Sequence, residues 1–223
     1  MIIASTHTNF VNNLPVLTGI KKTEQDLSKT FGRFRYAVYS PGVDEIRDAN
    51  DMRDLMQAVV SCQLPPTYKK LIIFCTGHGG QGSIYLPNEH IEECIFFNTL
   101  NDLQLSQPSL TKVLIIDTCR TDTTGRITPS FDFQNSVVIY STIPGEQAFA
   151  HRNSGGVMTT ELLRQLNKCS VWPFSNSLSN IMTKVTIQMR KITGVQDPVM
   201  YQSGSDDVNL LKEYYTHCKL NKD

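Results

Sequence analysis

Net charge is missing from this chain, whose 223 residues carry 21 Lys plus Arg against 21 Asp plus Glu. No basic stripe is present to track a phosphate backbone or an anionic lipid, so nucleic acid and membrane surfaces are excluded as electrostatic partners. Long apolar runs are also lacking, and none approaches the roughly 20 residues of a membrane helix. The opening MIIASTHTNF has neither the charged start nor the apolar stretch of a secretory leader, so a soluble, cytoplasmic protein is expected. Paired cysteines are absent too. Cys62, Cys75, Cys94, Cys119, Cys169 and Cys218 form no CxxC, which argues against a disulfide framework or a zinc knuckle and for reduced thiols. No metal or other cofactor is expected, and calcium dependence is not readable from the residues. With no repeat, no low-complexity segment and no long linker, residues 1–223 read as one domain, long enough to bury a sizeable core without staples.

What is present is alternation of apolar strands and amphipathic helices. MIIAS and FRYAVYS, the latter by its alternation, read as strands around a helix in GIKKTEQDLSKTF that turns Ile20, Leu27 and Phe31 to one side. From Asp48, Met52, Leu55, Met56, Val59 and Val60 follow helical spacing up to the Pro65-Pro66 pair. KKLIIFCTGHGG, KVLIIDTCR and SVVIYST are apolar strands, GVMTTELLRQLN and LSNIMTKVTIQMRKI helices, the latter with Leu178, Ile181, Met182, Val185 and Met189 inward, and PVMYQ a last short strand. Strands apolar throughout imply a mostly parallel sheet covered on both faces, with its active site at the carboxyl ends of the strands.

Two of those ends carry chemistry. One strand releases Thr76-Gly77-His78-Gly79-Gly80, another Asp117-Thr118-Cys119-Arg120. If the strands are parallel neighbours, His78 and Cys119 leave the sheet at the same rim. A thiol beside an imidazole is a nucleophile with its base, and the adjacent glycine leaves backbone N–H groups open to a developing oxyanion. Cys62, Cys75 and Cys94, with apolar neighbours, read instead as small core hydrophobes. GHGGQG lacks the Lys-Ser or Lys-Thr of a phosphate loop. His90 and His217 read as solvated surface, and His7 lies near the same rim without a specified role.

These residues in this order resemble the caspase-like cysteine peptidases, which comprise caspases, metacaspases and paracaspases. The family pattern is an apolar strand, Ser/Thr-Gly-His-Gly, a hairpin, and a second apolar strand ending in an acid or Gln, one residue, then Cys. Here it is LIIFCTGHGGQGSIYLP and VLIIDTCRTD, with His78 and Cys119 separated by 41 positions. VVIYSTIPGEQAFAHRNSGGVMTTELLRQL is similar to the start of the caspase small subunit, and NFVNNLPVLTGIKKTEQDL to the first loop and helix. The resemblance implies an α/β three-layer sandwich with an about six-stranded sheet. It implies Cys119 as nucleophile, His78 as general base and acid, and the backbone N–H groups of Gly79 and Cys119 as oxyanion hole. It divides the chain into a large-subunit-like part (1–121), a short linker (122–134) and a small-subunit-like part (135–223).

Aspartate-directed caspases seat their substrate acid with an Arg in the first loop, a Gln two before Cys, and a strand Arg. Those first two positions hold Leu17 and Asp117 here. A carboxylate at the pocket floor repels an acidic substrate side chain and suits Arg or Lys, whose donors offset its desolvation. Metacaspases and paracaspases, which cut after basic residues, carry this Asp, and PGEQAFA supplies Glu146 as its expected companion. The acid many relatives have at the start of the first helix falls on Thr23, with Glu24 and Asp26 nearby. Arg152, near the caspase strand arginine, is expected to bind substrate backbone or an acidic side chain.

The chain is thus expected to be an endopeptidase acting on protein or peptide substrates after Arg or Lys, with a homodimer through the last strand a further possibility. Two alternatives stand beside it: a catalytically silent regulatory partner, and an aspartate-directed caspase using Arg152. The short linker favours an uncut single chain. Arg126 within it is a candidate self-cleavage point that an intact mass after prolonged active incubation would reject. Residues 1–223 include no recruitment domain, so the expectation is either direct activation or an excised catalytic domain.

Overall fold

The structure, a computed structural model, describes residues 1–6, 14–62, 68–80, 82–121, 134–151, 153–169, 177–203, 208 and 210. His7, Arg126, Arg152, His217, Cys218, nearly all of the 122–134 linker and the side chain of Cys169 lie outside these, as do the expectations placed on them.

In chain order the elements are β1 (Ile2–Ala4), α1 (Ile20–Arg33), α2 (Ala49–Ser61), β2 (Lys70–Thr76), β3 (His78–Gly80), β4 (Ser83–Tyr85) and β5 (His90–Glu92). Then follow α3 (Cys94–Ser106), β6 (Thr111–Asp117), β7 (Ser136–Tyr140), β8 (Ala150–His151), β9 (Gly155–Gly156), α4 (Val157–Cys169), α5 (Leu178–Thr193) and β10 (Val199–Ser203). The main sheet runs β1-β2-β6-β7-β10, the first four strands parallel and β10 antiparallel to β7. It has five strands among the described residues, one fewer than the resemblance implies. The expected strand over residues 34–40 does not form. Its place beside β1 is marked by the Ile2 N–H bonded to Tyr39 O at 2.9 Å and by an Ala4–Val43 bridge. A three-residue β1 offers too short an edge to template a longer ladder.

Period-two alternation of the strands feeds two cores. Val113 and Ile115 of β6 face α1, α4 and α5, where they meet Leu27, Phe31, Leu162, Leu166, Ile181 and Val185. Leu114 and Ile116 face α2 and α3 and meet Met52, Met56, Phe96 and Leu100. All four β6 residues are fully buried, each contributing about 1.5–3 kcal/mol to the three-layer packing. The helix ends are set locally: Asp48 caps α2 through Asn50 N and Asp51 N, Ser177 caps α5 through Asn180 N, and Gly194 ends α5 in the left-handed region at φ 79°.

One helix was not anticipated. α3 buries Phe96, Thr99, Leu100 and Leu103 on one face, yet Ile95 and Phe97 on other faces blur the periodicity, and Glu93 makes no side-chain cap. The core assignment of the cysteines needs correction as well. Cys75 in β2 is buried, whereas Cys62 and Cys94 are exposed because they stand at helix ends, one just after α2 and the other opening α3. His90 is exposed on β5.

Candidate active site

The parallel register of β2 and β6 sets Thr76 opposite Asp117. His78 and Cys119 therefore each lie two residues beyond the same rung, at the carboxyl edge of the sheet. The hairpin that begins with β3 folds across the end of β6. Gly77 N–H points to Asp117 O at 3.4 Å, and a Cβ on Gly79 would stand 2.7 Å from Thr118 Oγ1. Only glycine permits this approach of the histidine strand to the cysteine loop.

His78 is buried, and its Nε2 lies 2.8 Å from the carbonyl oxygen of Pro15. A carbonyl only accepts, so Nε2 carries the hydrogen and Nδ1 is left as the basic nitrogen. Burial depresses the imidazole pKa below its ordinary value, while the Pro15 bond works the other way. Cys119 is half-buried, and its Sγ receives the Ala148 N–H at 3.3 Å and lies 3.7 Å from Ala148 O. Burial pushes the thiol pKa up, the Ala148 N–H opposes this, and the Asp117 charge adds to the rise. The resting pair is a neutral thiol and a neutral imidazole, which calls for proton transfer as attack begins rather than a preformed ion pair.

Titration separates these possibilities. Alkylation of Cys119 by iodoacetamide in the free protein is expected to rise with pH with its midpoint above the ordinary thiol value of 9.0. The acid limb of kcat/KM should fall below the ordinary imidazole value of 6.5, since protonating His78 removes the base. Full alkylation at pH 5 would show a thiolate–imidazolium pair and overturn the assignment.

Beneath Cys119, Asp117 is buried at the end of β6. Its Oδ2 takes the Thr159 N–H at 3.3 Å and the Thr159 hydroxyl, whereas Oδ1 has no partner among the described residues. Burial raises the carboxyl pKa, and the Thr159 and Ser141 hydroxyls and the Thr159 N–H offset part of it. A Cβ on Gly156 would stand 2.0 Å from Asp117 Oδ2, so the β9 backbone lies directly on the carboxyl group. Glu146 is bound into the same loops. Arg120 N–H donates to Glu146 O at 3.0 Å and Gly145 N–H to Arg120 O at 2.9 Å, while Glu146 Oε2 is buried and without a hydrogen-bond partner among the described residues. Arg120 is itself buried, its guanidinium 3.9 Å over the Tyr140 ring, and Tyr140 donates to Glu93 Oε2 at 2.9 Å. The structure thus gathers His78, Gly79, Asp117, Cys119 and Glu146 at one edge.

Thr23 is buried, its hydroxyl 3.2 Å from both Gly19 O and Ser154 O. Glu24 accepts from Ser40 at 2.6 Å, and Asp26 pairs with Lys22 at 2.7 Å. Pro15, Ala148, Gly156 and Thr159 escaped the sequence reading. Pro15 and Ala148 act through backbone atoms, and Gly156 and Thr159 are distant in sequence from Asp117. Among the described residues no group of three His, Cys, Asp or Glu is placed to hold a metal ion, and no helix is long and apolar enough to cross a membrane.

A sequence search of curated proteins finds no match. The solved structure of caspase-1 from Spodoptera frugiperda is similar in fold, with a TM-score of 0.75 over 94% of this chain and 88% of that chain at 16% identity. The caspase-domain model of peptidase family C14 matches residues 1–209. Since that match takes in both strand ends and nearly every described element, the chain belongs to the caspase-domain family of cysteine-type endopeptidases.

Proposed function

We propose that this endopeptidase cleaves peptide bonds after Arg or Lys, with Cys119 as nucleophile. His78 Nδ1 takes the thiol proton as sulfur attacks the scissile carbonyl, and returns it to the amine as the C–N bond breaks. The carbonyl oxygen, negative at the tetrahedral stage, is received by the backbone N–H groups of Gly79 and Cys119. Water then hydrolyses the thioester with His78 again as base. Asp117 and Glu146 hold the basic side chain on the amino side of the cleaved bond.

The observation that carries the specificity is that Oδ1 of buried Asp117 has no hydrogen-bond partner among the described residues. A carboxyl group left so is costly when ionised, and a guanidinium or ammonium supplies the missing donors. Glu146 Oε2 is likewise without a hydrogen-bond partner among the described residues. An aspartate substrate would add a third carboxylate to that pair. Side-by-side hydrolysis of Arg-, Lys- and Asp-ended fluorogenic peptides tests the proposal: the basic two should be cut, and a preference for Asp would reject it. If no peptide is cut and an arginyl halomethyl ketone leaves Cys119 unlabelled, the regulatory-partner reading takes its place.

A further inference from the structure

A second cleft adjoins Thr159, the residue that donates to Asp117. α1 and α4 flank a cleft of about 480 Å³ whose lining includes Lys22, Lys29, Arg33 and Arg164, with Thr23 and Thr159 at its inner end. The acids nearby are few. Lys22 is matched by Asp26 at 2.7 Å, and Arg164 by the largely buried Glu161 at 2.5 Å. Lys29 and Arg33 are exposed and have no carboxylate partner among the described residues, Arg33 donating instead to the neutral Asn167. The cleft therefore carries an excess of two positive charges in a chain whose net charge is zero.

The arrangement of the cations favours an extended ligand. Lys29 and Arg33, the two cations without a carboxylate partner among the described residues, stand one turn apart on α1, about 6 Å at 1.5 Å per helical residue. The Asp26-paired Lys22 extends the row to about 16 Å, the length of about five residues of extended peptide at 3.3 Å each. A compact polyanion would be better served by cations converging on one point. The inner end matters too. Thr159 lines the cleft and also donates to Asp117 through both N–H and hydroxyl. The cleft and Asp117 therefore share the buried Thr159, so the two sites adjoin through one residue.

We propose that the α1–α4 cleft is an exosite for an acidic segment, four to six residues rich in Asp or Glu, of the protein that this enzyme cuts. The substrate-linked part rests on the endopeptidase reading, whereas binding of the segment does not. The first measurement therefore uses the Cys119→Ala chain and fluorescence anisotropy of a labelled hexaglutamate peptide. Binding is expected to weaken steeply with added salt, to be absent for hexaglutamine, and to weaken about tenfold or more in Lys29→Glu/Arg33→Glu. The milder Lys29→Gln/Arg33→Gln pair should show the same loss in smaller measure, which guards against misfolding of the charge reversal.

In the active enzyme, an Arg-ended fluorogenic substrate carrying a glutamate run should show a lower KM than its glutamine counterpart. That advantage should vanish in Lys29→Glu/Arg33→Glu, while hydrolysis of a short Arg-ended peptide is unchanged. Absence of hexaglutamate binding, binding indifferent to the two substitutions, or tighter binding of inorganic polyphosphate than of the peptide would overturn the exosite and leave the endopeptidase reading intact. Hexaglutamate binding with no KM advantage would overturn its link to the substrate.

Discussion

Cys119→Ala should lower hydrolysis of an Arg-ended fluorogenic peptide by a factor on the order of 10⁴ to 10⁶, the scale of losing a covalent nucleophile. Among the described residues the half-buried side chain gives up only the Ala148 hydrogen bonds, so thermal unfolding should change little. Activity within tenfold of the parent would remove Cys119 from the mechanism. His78→Ala should be nearly as damaging and not additive with it, because base and nucleophile act in one proton transfer. Purified double and single variants assayed together would show this directly.

Asp117→Asn should cut kcat/KM for Arg-ended peptides by roughly 10² to several times 10³, since breaking one partner of a buried ion pair costs about 3–5 kcal/mol. Its effect on stability should have the opposite sign at neutral pH. Burial raises the folded-state pKa of Asp117 above its ordinary 3.8. A raised pKa means that the folded chain holds the proton more tightly than the unfolded one. The associated stability is full below pH 3.8 and is lost as pH rises through the folded value. Relative to the parent, Asp117→Asn should therefore gain Tm at pH 8 and gain less at pH 4. A peptide aldehyde ending in Arg should bind the parent more tightly as pH rises through the same range, because its cation favours the ionised carboxylate. Equal losses of fold and activity in Asp117→Asn would make Asp117 a structural acid only.

The two halves of this site were unequally legible. Apolar runs ending in Gly77-His78-Gly79 and Asp117-Thr118-Cys119 announce themselves, because a buried parallel strand must be apolar and its polar successors must then sit at its rim. The inward faces of α1 and α5 were equally plain, with Ile20, Leu27 and Phe31 in one and Leu178, Ile181, Met182, Val185 and Met189 in the other, all buried. The alternation over residues 34–40 misled, because alternation reports a half-buried surface and not the presence of a neighbour to pair with. α3 was hidden by apolar residues on more than one of its faces.

The amino-acid sequence alone determined the residue types at the rim, their order, and the likeness to caspase-like peptidases, because those properties are local. Only the tertiary structure decided that Pro15 O selects the histidine tautomer, that Ala148 N–H meets the thiol, and that Thr159 takes one oxygen of Asp117 while the other has no partner among the described residues. Each of these depends on residues at least 29 positions apart meeting within hydrogen-bond distance. Hydrogen bonds and desolvation act over a few ångströms, so proximity created by the packing of β2, β6, β9 and α4 sets them, and no spacing along the chain encodes it.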